Sequence, residues 1–260
     1  MATKRIELIG VTGLPEITPG DDLTRLFLDA CRRENVSIVD GDVVVFTQKI
    51  VSKAEGCVVR LSDVEPSMLA HTIAERGEGG SKPTCGKDPR LVELALREAR
   101  RIVRMDHGVL ITETRHGFVC ANSGVDASNV GADDVATTLP RDPDSSAQRL
   151  RDAIGVATEK RVGVIISDTF GRPWREGVVN VAIGIAGLSA LCDYRGRVDN
   201  DGRSLTSTVI AVADELAGAA ELVMGKLERI PVAVVRGFDL VPGADGARAL
   251  VRDAARDLFR

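Results

Sequence analysis

Aromatic side chains are scarce in this chain: six Phe, one Tyr and one Trp among 260 residues. That argues against a single-stranded nucleic-acid surface built on stacking. Excess positive charge is lacking too. With a net charge of −4, no nucleic-acid footprint is expected, and an anionic ligand must find local lysines, arginines or metal. There are three histidines and five cysteines (Cys31, Cys57, Cys85, Cys120 and Cys192), with no C-x-x-C pair. A zinc site is therefore not expected, and the odd cysteine count favours a reducing cytoplasm. Nowhere do about 18 apolar residues run together, and Met1 to Ile9 holds no long apolar signal region. Neither a membrane span nor secretion is expected.

The remaining composition is that of an ordinary globular chain, 44% hydrophobic and 28% charged, so the core must be built of Val, Leu, Ile and Ala. The length suits one large domain or two small ones sharing a core. Short strands are predicted at Ile6–Val11, Val43–Thr47, Cys57–Leu61, Val162–Ser167, Val178–Ile185 and Ile230–Val235. Val109–Thr114 and Gly117–Ala121 read as a hairpin turning at Arg115-His116. Helices are predicted at Asp22–Glu34, Pro66–Arg76, after the Asp88 cap with Pro89 at its first position, at Ala147–Ala157, within Val209–Met224 and at Asp245–Phe259. The helix after Asp88 has an apolar stripe of Leu91, Leu94, Ala95, Ala99 and Ile102. Gly77–Gly86 reads as a loop over a site or as a linker, and Pro140–Ser145 as a polar connector. Strands and helices alternate irregularly, which implies a mixed-sheet α+β or α/β fold.

Two stretches carry chemistry. In the first, the apolar run Val162–Ile166 stops at Ser167-Asp168-Thr169, and a loop with Arg172, Trp174 and Arg175 follows. A buried strand that delivers a carboxylate beside a hydroxyl presents the oxygen ligands that hard cations prefer. The arginines could hold phosphate or carboxylate groups in a fork. The plain alternative is a strand followed by a solvated turn. In the second, Asn122-Ser123-Gly124-Val125-Asp126-Ala127-Ser128-Asn129 again follows an apolar run. Asp126 and Asn129, three apart, could aim at one ligand, or both could merely bond the local backbone of an Asx-type turn.

At these residues the chain resembles the coenzyme F-420-0:L-glutamate ligases, also called F-420 gamma-glutamyl ligases. The resemblance runs from Ile6 to about Phe238. It rests on Gly13-Leu14-Pro15-Glu16-Ile17, Gly41-Asp42-Val43-Val44-Val45, Lys49 to Gly56, Gly86 to Glu93, Thr112 to Phe118, the two Asp stretches, Val212 to Glu215 and Met224-Gly225-Lys226. No single motif decides the match; their order and spacing make it specific. The resemblance implies one ligase domain over 1–260, an α+β, mixed-sheet fold of two interleaved sub-domains with a boundary near 140–146. It implies GTP-dependent, gamma-linked addition of L-glutamate to F-420-0, giving GDP and phosphate. The cations would be Mg²⁺ or Mn²⁺, two per site, with K⁺ a further candidate. The partner would be a second copy in a homodimer, for which the apolar run Val178–Leu188 could supply buried interface. With the chain ending at Arg260, no nitroreductase-like domain and no FMN are expected.

Residue roles carry over position by position. Asp126 and Asp168 match the ligands of one divalent cation and Thr169 a ligand of a second. Leu14, Pro15, Glu16 and Ile17 match a nucleotide-binding turn, and Asn129 a nucleotide contact. Met224, Gly225, Lys226, Leu227, Glu228, Arg229, Ile230 and Pro231 match a further nucleotide segment. Lys53 matches a phosphate-contacting lysine, although by chemistry alone it reads as an ordinary surface lysine. Gln48 stands where relatives often have Ser or His, and Lys226 where some have Gln near the second metal; a protonated lysine cannot ligate metal. His116 could be a general base or simply an exposed hairpin-tip residue, and Arg172 and Arg175 are candidates for anionic substrate groups. Two rival functions remain: a nucleotide-dependent ligase with another carboxylate acceptor, and a non-catalytic nucleotide-binding protein.

Overall fold

The structure, a computed structural model, describes residues 3–76, 88–106, 109–127 and 134–257. In chain order the elements are β1 (Glu7–Val11), α1 (Leu23–Arg33), β2 (Val43–Thr47), α2 (Gln48–Ala54), β3 (Val58–Arg60), α3 (Met68–Arg76), α4 (Pro89–Glu98), β4 (Ala99–Asp106), β5 (Val109–Thr114), β6 (Val119–Ala121), β7 (Val135–Thr137), α5 (Pro143–Thr158), β8 (Gly163–Gly171), β9 (Val178–Ala186), β10 (Cys192–Asp193), β11 (Val209–Ile210), α6 (Val212–Met224) and β12 (Val232–Arg236). The fold is α+β. Its centre is a mixed five-stranded sheet in the order β1-β12-β2-β8-β9, in which β2 and β8 are parallel and the other neighbours antiparallel.

Both faces of this sheet are covered, which explains why its strands read as continuous apolar runs rather than alternating ones. Val44, Phe46, Val164, Ile166, Val232 and Val234 face α1, α2 and α5, where they meet Phe27, Ala30, Val51 and Ile154. Val43, Val45, Ile165, Ala233 and Val235 point the other way, onto Ala213, Leu216, Ala217 and Ala220 of α6. Each fully buried Val, Leu or Ile contributes roughly 1.5–3 kcal/mol relative to exposure. Asp22, Asp88 and Asp142 each begin a helix by accepting a hydrogen bond from a first-turn N–H, of Arg25, Arg90 and Ser145 respectively.

A second unit is inserted between α2 and α5. It holds the β3–β7 pair, the α3–α4 pair and the antiparallel sheet β4-β5-β6, with small cores around Ile73 and Val92 and around Leu61, Leu94 and Ala136. The apolar stripe predicted to continue a helix through Ala99 and Ile102 is divided. The helix stops at Glu98, and Ala99–Asp106 is strand paired with β5. Helix-favouring side chains in Arg97–Arg101 yield here to the backbone hydrogen bonds of the ladder. The helix expected at Asp245–Phe259 is also absent among the described residues. Two short 3₁₀ turns, Ala247–Leu250 and Ala254–Arg256, take its place. Asp253 accepts from Ala255 N, which starts a new turn instead of continuing the first.

The run Val178–Leu188 is spent inside the fold. As edge strand β9 it packs on α5 and α6 and is mostly buried within the chain itself. Its outward N–H groups are met by carboxylates: Asn180 N donates to Glu221, Ala182 N to Asp214 and Ile185 N to Asp144. An edge whose donors are already bonded resists pairing with another strand. Gly184 permits the close approach of α5, since a Cβ there would come 2.3 Å from the Pro143 carbonyl oxygen.

Asp144 Oδ1 accepts from both Ile185 N and Ala247 N, at 2.8 Å each, joining helix, edge strand and C-terminal segment. Replacing Asp144 by Ala strands both donors and should lower the free energy of unfolding by about 2–3 kcal/mol. Asp144→Asn, which keeps an acceptor oxygen, should lose less than half of that. Urea denaturation of the three proteins measures both effects, and equal midpoints would remove this junction from the account.

Candidate active site

Register places four chain segments at one end of the central sheet. Val11 pairs with Val232, Val232 with Phe46, and Phe46 with Ile166. The exit of β1 (the 12–17 turn), the exit of β2 (α2), the entry to β12 (residues 225–231) and the continuation of β8 therefore share that end. Thr47 N donates to the Pro231 carbonyl at 2.9 Å, closing two of these segments together. β8 outruns its parallel partner. β2 ends opposite Ser167, and Asp168 and Thr169 continue as strand, paired only with Val181 and Asn180 of β9 after a register shift at Ile166/Ser167. Asp168 and Thr169 thus stand on strand, beyond the predicted Val162–Ser167 run.

Asp168 is half-buried by its exposed surface, but its carboxyl lies deep among protein atoms. That burial, together with the like charge of Asp126, pushes its pKa up to about 6 from an ordinary 3.8. A hydrogen bond from Thr169 N at 2.8 Å and the positive charges of Lys226 and Lys49 oppose the rise. Asp126 comes from the inserted unit. Its backbone exchanges two hydrogen bonds with Thr137. The next carbonyl, of Thr138, accepts from Gln48 Nε2 and Ser52 Oγ on α2. Helix α2 therefore joins the insert to the sheet, and its Lys49 lies 2.7 Å from Asp126 Oδ2.

The other predicted residues divide. Lys53, on the last turn of α2, is buried and forms an ion pair with Glu16 of the 12–17 turn, so it is not an ordinary surface lysine. Ile17 is buried in the core, whereas Pro15 and Glu16 are exposed and Leu14 is half-buried. Gln48 is buried, with its amide committed to Ser52 and Thr138, so it braces α2. Lys226 Nζ donates to Thr169 Oγ1 at 2.5 Å and lies 3.4 Å from Glu221. Met224 is buried at the end of α6, and residues 225–229 are exposed. The Glu228 carboxyl folds back onto the N–H of Leu227, and this and neighbouring N–H groups hold its pKa below the usual range. His116 touches the Arg141 carbonyl through Nε2 and stacks on Phe118. Arg172 and Arg175 occupy the loop from β8 to β9, outside the cluster around Asp168. Asn129 and loop 77–86 lie outside the described residues.

Three members of the cluster were not singled out by sequence. Lys49 lies within a quoted motif but one turn before the lysine that was chosen. Asn180 Oδ1 accepts from Thr169 Oγ1 at 2.7 Å, and Glu221 binds Asn180 N and faces Lys226. Neither Asn180 nor Glu221 has a local signal, because each reaches the site from an otherwise structural element. A cleft of about 410 Å³, lined by Cys31, Asn35, Ala157 and others, opens where α1 and α5 end, at the opposite end of the sheet from this chemistry.

The donor set suits a hard divalent cation. Among the described residues no three His, Cys, Asp or Glu side chains converge as a cage. Asp126, Asp168 and the Thr169 hydroxyl instead resemble the sparse protein shell of Mg²⁺, which keeps waters and takes phosphate oxygens. Two facing carboxylates, one with a raised pKa, are a site that a cation would relieve.

A family model described as "F420-0:Gamma-glutamyl ligase" matches residues 12–237. A "Coenzyme F420:L-glutamate ligase" of Methanothermobacter thermautotrophicus is 47% identical over 258 residues, covering 98% of this chain and 99% of the relative. Proteins of the same description from Methanopyrus kandleri and Methanocaldococcus jannaschii are 45% and 42% identical, over 100% and 99% of this chain and 99% and 98% of their own lengths. The protein is an α+β enzyme of the ligase class. It belongs to the F-420-0 gamma-glutamyl ligase family.

The raised pKa of Asp168 sets a pH dependence for the metal-free protein. Its folded value lies above its unfolded one, so the stability this group contributes is complete below about pH 4 and is lost as pH rises through 6. Asp168→Asn should therefore raise the unfolding free energy at pH 8 by about 1–3 kcal/mol in the presence of a chelator. The gain should shrink towards zero as pH falls to about 4. Chemical denaturation of both proteins across that range measures it; a pH-independent difference would contradict the assignment.

Proposed function

We propose that this chain adds L-glutamate, through gamma linkages, to coenzyme F-420-0 at the expense of GTP, releasing GDP and phosphate through an acyl-phosphate intermediate. The observation that carries the reading is the pair Asp126 and Asp168. They are brought from separate units to face one another, with Lys49 and Lys226 beside them. The substrates follow the names of the relatives, and GTP and the intermediate follow the resemblance in the motifs.

A carboxylate is a poor acyl donor, so amide formation needs activation. Transfer of the γ-phosphoryl group to the acceptor carboxylate makes phosphate the leaving group that the glutamate amine displaces. Such transfer is mainly positioning and charge neutralisation. Bound Mg²⁺ or Mn²⁺ would supply the neutralising charge on the phosphate oxygens. Asp126, Asp168 and Thr169 would hold it from a rigid strand and a braced loop. Lys53, paired with Glu16 of the 12–17 turn, would contact phosphate in this reading. Lys226 already contacts Thr169, so its ammonium stands beside any second cation rather than among its ligands. Arg172 and Arg175 suit anionic groups of the acceptor further along the loop.

A cytoplasmic setting belongs to the same reading. Cys31, Cys57, Cys120 and Cys192 are unpaired thiols, and no helix among the described residues is long and apolar enough to cross a membrane. A homodimer is part of the proposal as well. Most of β9 is buried within the chain, and exposed Met68, Leu222 and Leu227 offer apolar surface for such an interface. Light scattering at micromolar concentration tests it.

The decisive assay incubates the protein with GTP, Mg²⁺ or Mn²⁺, L-glutamate and F-420-0 and reads added glutamyl units by mass spectrometry. Asp168→Asn should lower turnover on the order of 10²–10³-fold, or about 3–4 kcal/mol of barrier. A variant with near-parental turnover would take Asp168 out of the mechanism. Calorimetry should show GDP binding more than about tenfold tighter with Mg²⁺ than in EDTA, and GDP preferred over ADP. Equal affinity in EDTA would sink the metal bridge, and tighter ADP binding would defeat the guanine assignment alone.

A further inference from the structure

In a chain with eight aromatic residues, their placement is informative. Phe27 and Phe46 pack edge to face in the core. A second group gathers at the free end of β8. Phe170 follows Asp168 by two residues, hence on the same face of the strand. Phe118 meets Phe170 edge-on at 6.3 Å, and His116 stacks on Phe118 at 5.8 Å. Just past the strand comes the single tryptophan. Trp174 is 79% exposed, although indole is among the side chains that gain most from leaving water. Its φ of +61° lies in the left-handed region, which a bulky residue with a Cβ rarely enters. Such strain persists where the surroundings impose it, and it collects at ligand clamps.

The loop also carries charge around the indole, two arginines against the single carboxylate of Glu176. Arg172 and Arg175 flank Trp174, and Arg175 N donates to the Arg172 carbonyl at 3.4 Å, so the loop turns back with Trp174 near its tip. An exposed indole with one arginine two residues before it and another directly after it suits a ligand that is both flat and anionic: the ring would stack and the guanidinium forks would take its acidic oxygens. Position sets the ligand's length. Three strand steps carry the chain from Asp168 to Gly171, about 10 Å, and the loop tip lies beyond. A ring on Trp174 is thus held well away from the phosphoryl-transfer point, which requires an acceptor whose carboxylate is distant from its ring.

We propose that Trp174, flanked by Arg172 and Arg175, is the stacking platform that recognises the flat heteroaromatic ring of the carboxylate acceptor and so sets acceptor specificity. The inference rests on the reading of this chain as an F-420 ligase and adds to it a binding residue for the deazaflavin. Trp174 acts in binding, apart from the residues assigned to metal and nucleotide.

Because Trp174 is the sole tryptophan, its emission reports this position alone. Titrating the protein with F-420-0, in the presence of GDP and Mg²⁺, should quench that emission in a saturable way, whereas L-glutamate alone should leave it unchanged. A deazaflavin elsewhere in the site could also quench by energy transfer, so affinities decide. Anisotropy of the deazaflavin's own fluorescence should show Trp174→Ala binding F-420-0 on the order of tenfold more weakly, with Trp174→Phe restoring most of the loss. GDP affinity and thermal midpoint should stay parental in both variants. In turnover, Trp174→Ala should raise KM for the acceptor and leave KM for glutamate unchanged. F-420-0 bound equally well by Trp174→Ala would overturn the platform and leave the ligase reading intact. Emission that ignores F-420-0 but shifts with protein concentration would make Trp174 an interface residue and overturn it too. Failure of the parent protein to bind F-420-0 would remove the ligase reading and the platform together.

Discussion

The parallel pairing of Val43–Thr47 with Gly163–Ser167 brings two exits of the chain to the same end of the sheet. From the first exit comes α2 with Lys49 and Lys53, and from the second come Asp168 and Thr169. Parallel strands need a crossover, and here the crossover contains the whole inserted unit together with α5. The insert returns Asp126 to that same end through the Asp126–Thr137 bridge and the Gln48 and Ser52 bonds to Thr138. Were β2 and β8 antiparallel, the lysines and Asp168 would leave from opposite ends, and the carboxylates could not meet.

Charge balance at this end explains why the site is polar and yet stable. Asp126 and Asp168 repel, and burial raises the cost for Asp168. Lys49 bonds the first, while Lys226 bonds the hydroxyl beside the second. The protein's own ammonium groups thus do part of what a divalent cation does in full. Lys226 is a neighbouring charge held by Thr169 and Glu221. The buried amide of Gln48 is spent on bracing α2 against the insert.

The edge strand shows how a locally apolar run can be buried within its own chain. Val178–Leu188 looks like surplus hydrophobic surface until α5 and α6 are placed on it and three carboxylates occupy its outward donors. Most of it is core. The exposed surface that could meet a second copy is scattered over α3, α6 and the segment after it, where no periodic pattern announces it.

Local chemistry was legible from sequence wherever one segment suffices to express it. The Asp88 cap marks the start of α4, Gly225 ends α6, and apolar runs give β2, β8, β9 and β12, because capping, turns and burial act over a few residues; the Asp142 cap, by contrast, starts α5 at Pro143, inside the stretch expected to be a connector. The carboxylate and hydroxyl of Asp168-Thr169 at the end of an apolar strand were visible for the same reason, and motif order carried the family. Pairing and distance were not legible. That Ala99–Asp106 is strand, that Asp245–Phe259 is not a continuous helix, and that Lys49, Asn180 and Glu221 join the cluster all depend on partners distant in sequence. A ladder hydrogen bond or an ion pair is decided by the element that arrives opposite, and only the packed sheet determines which element that is.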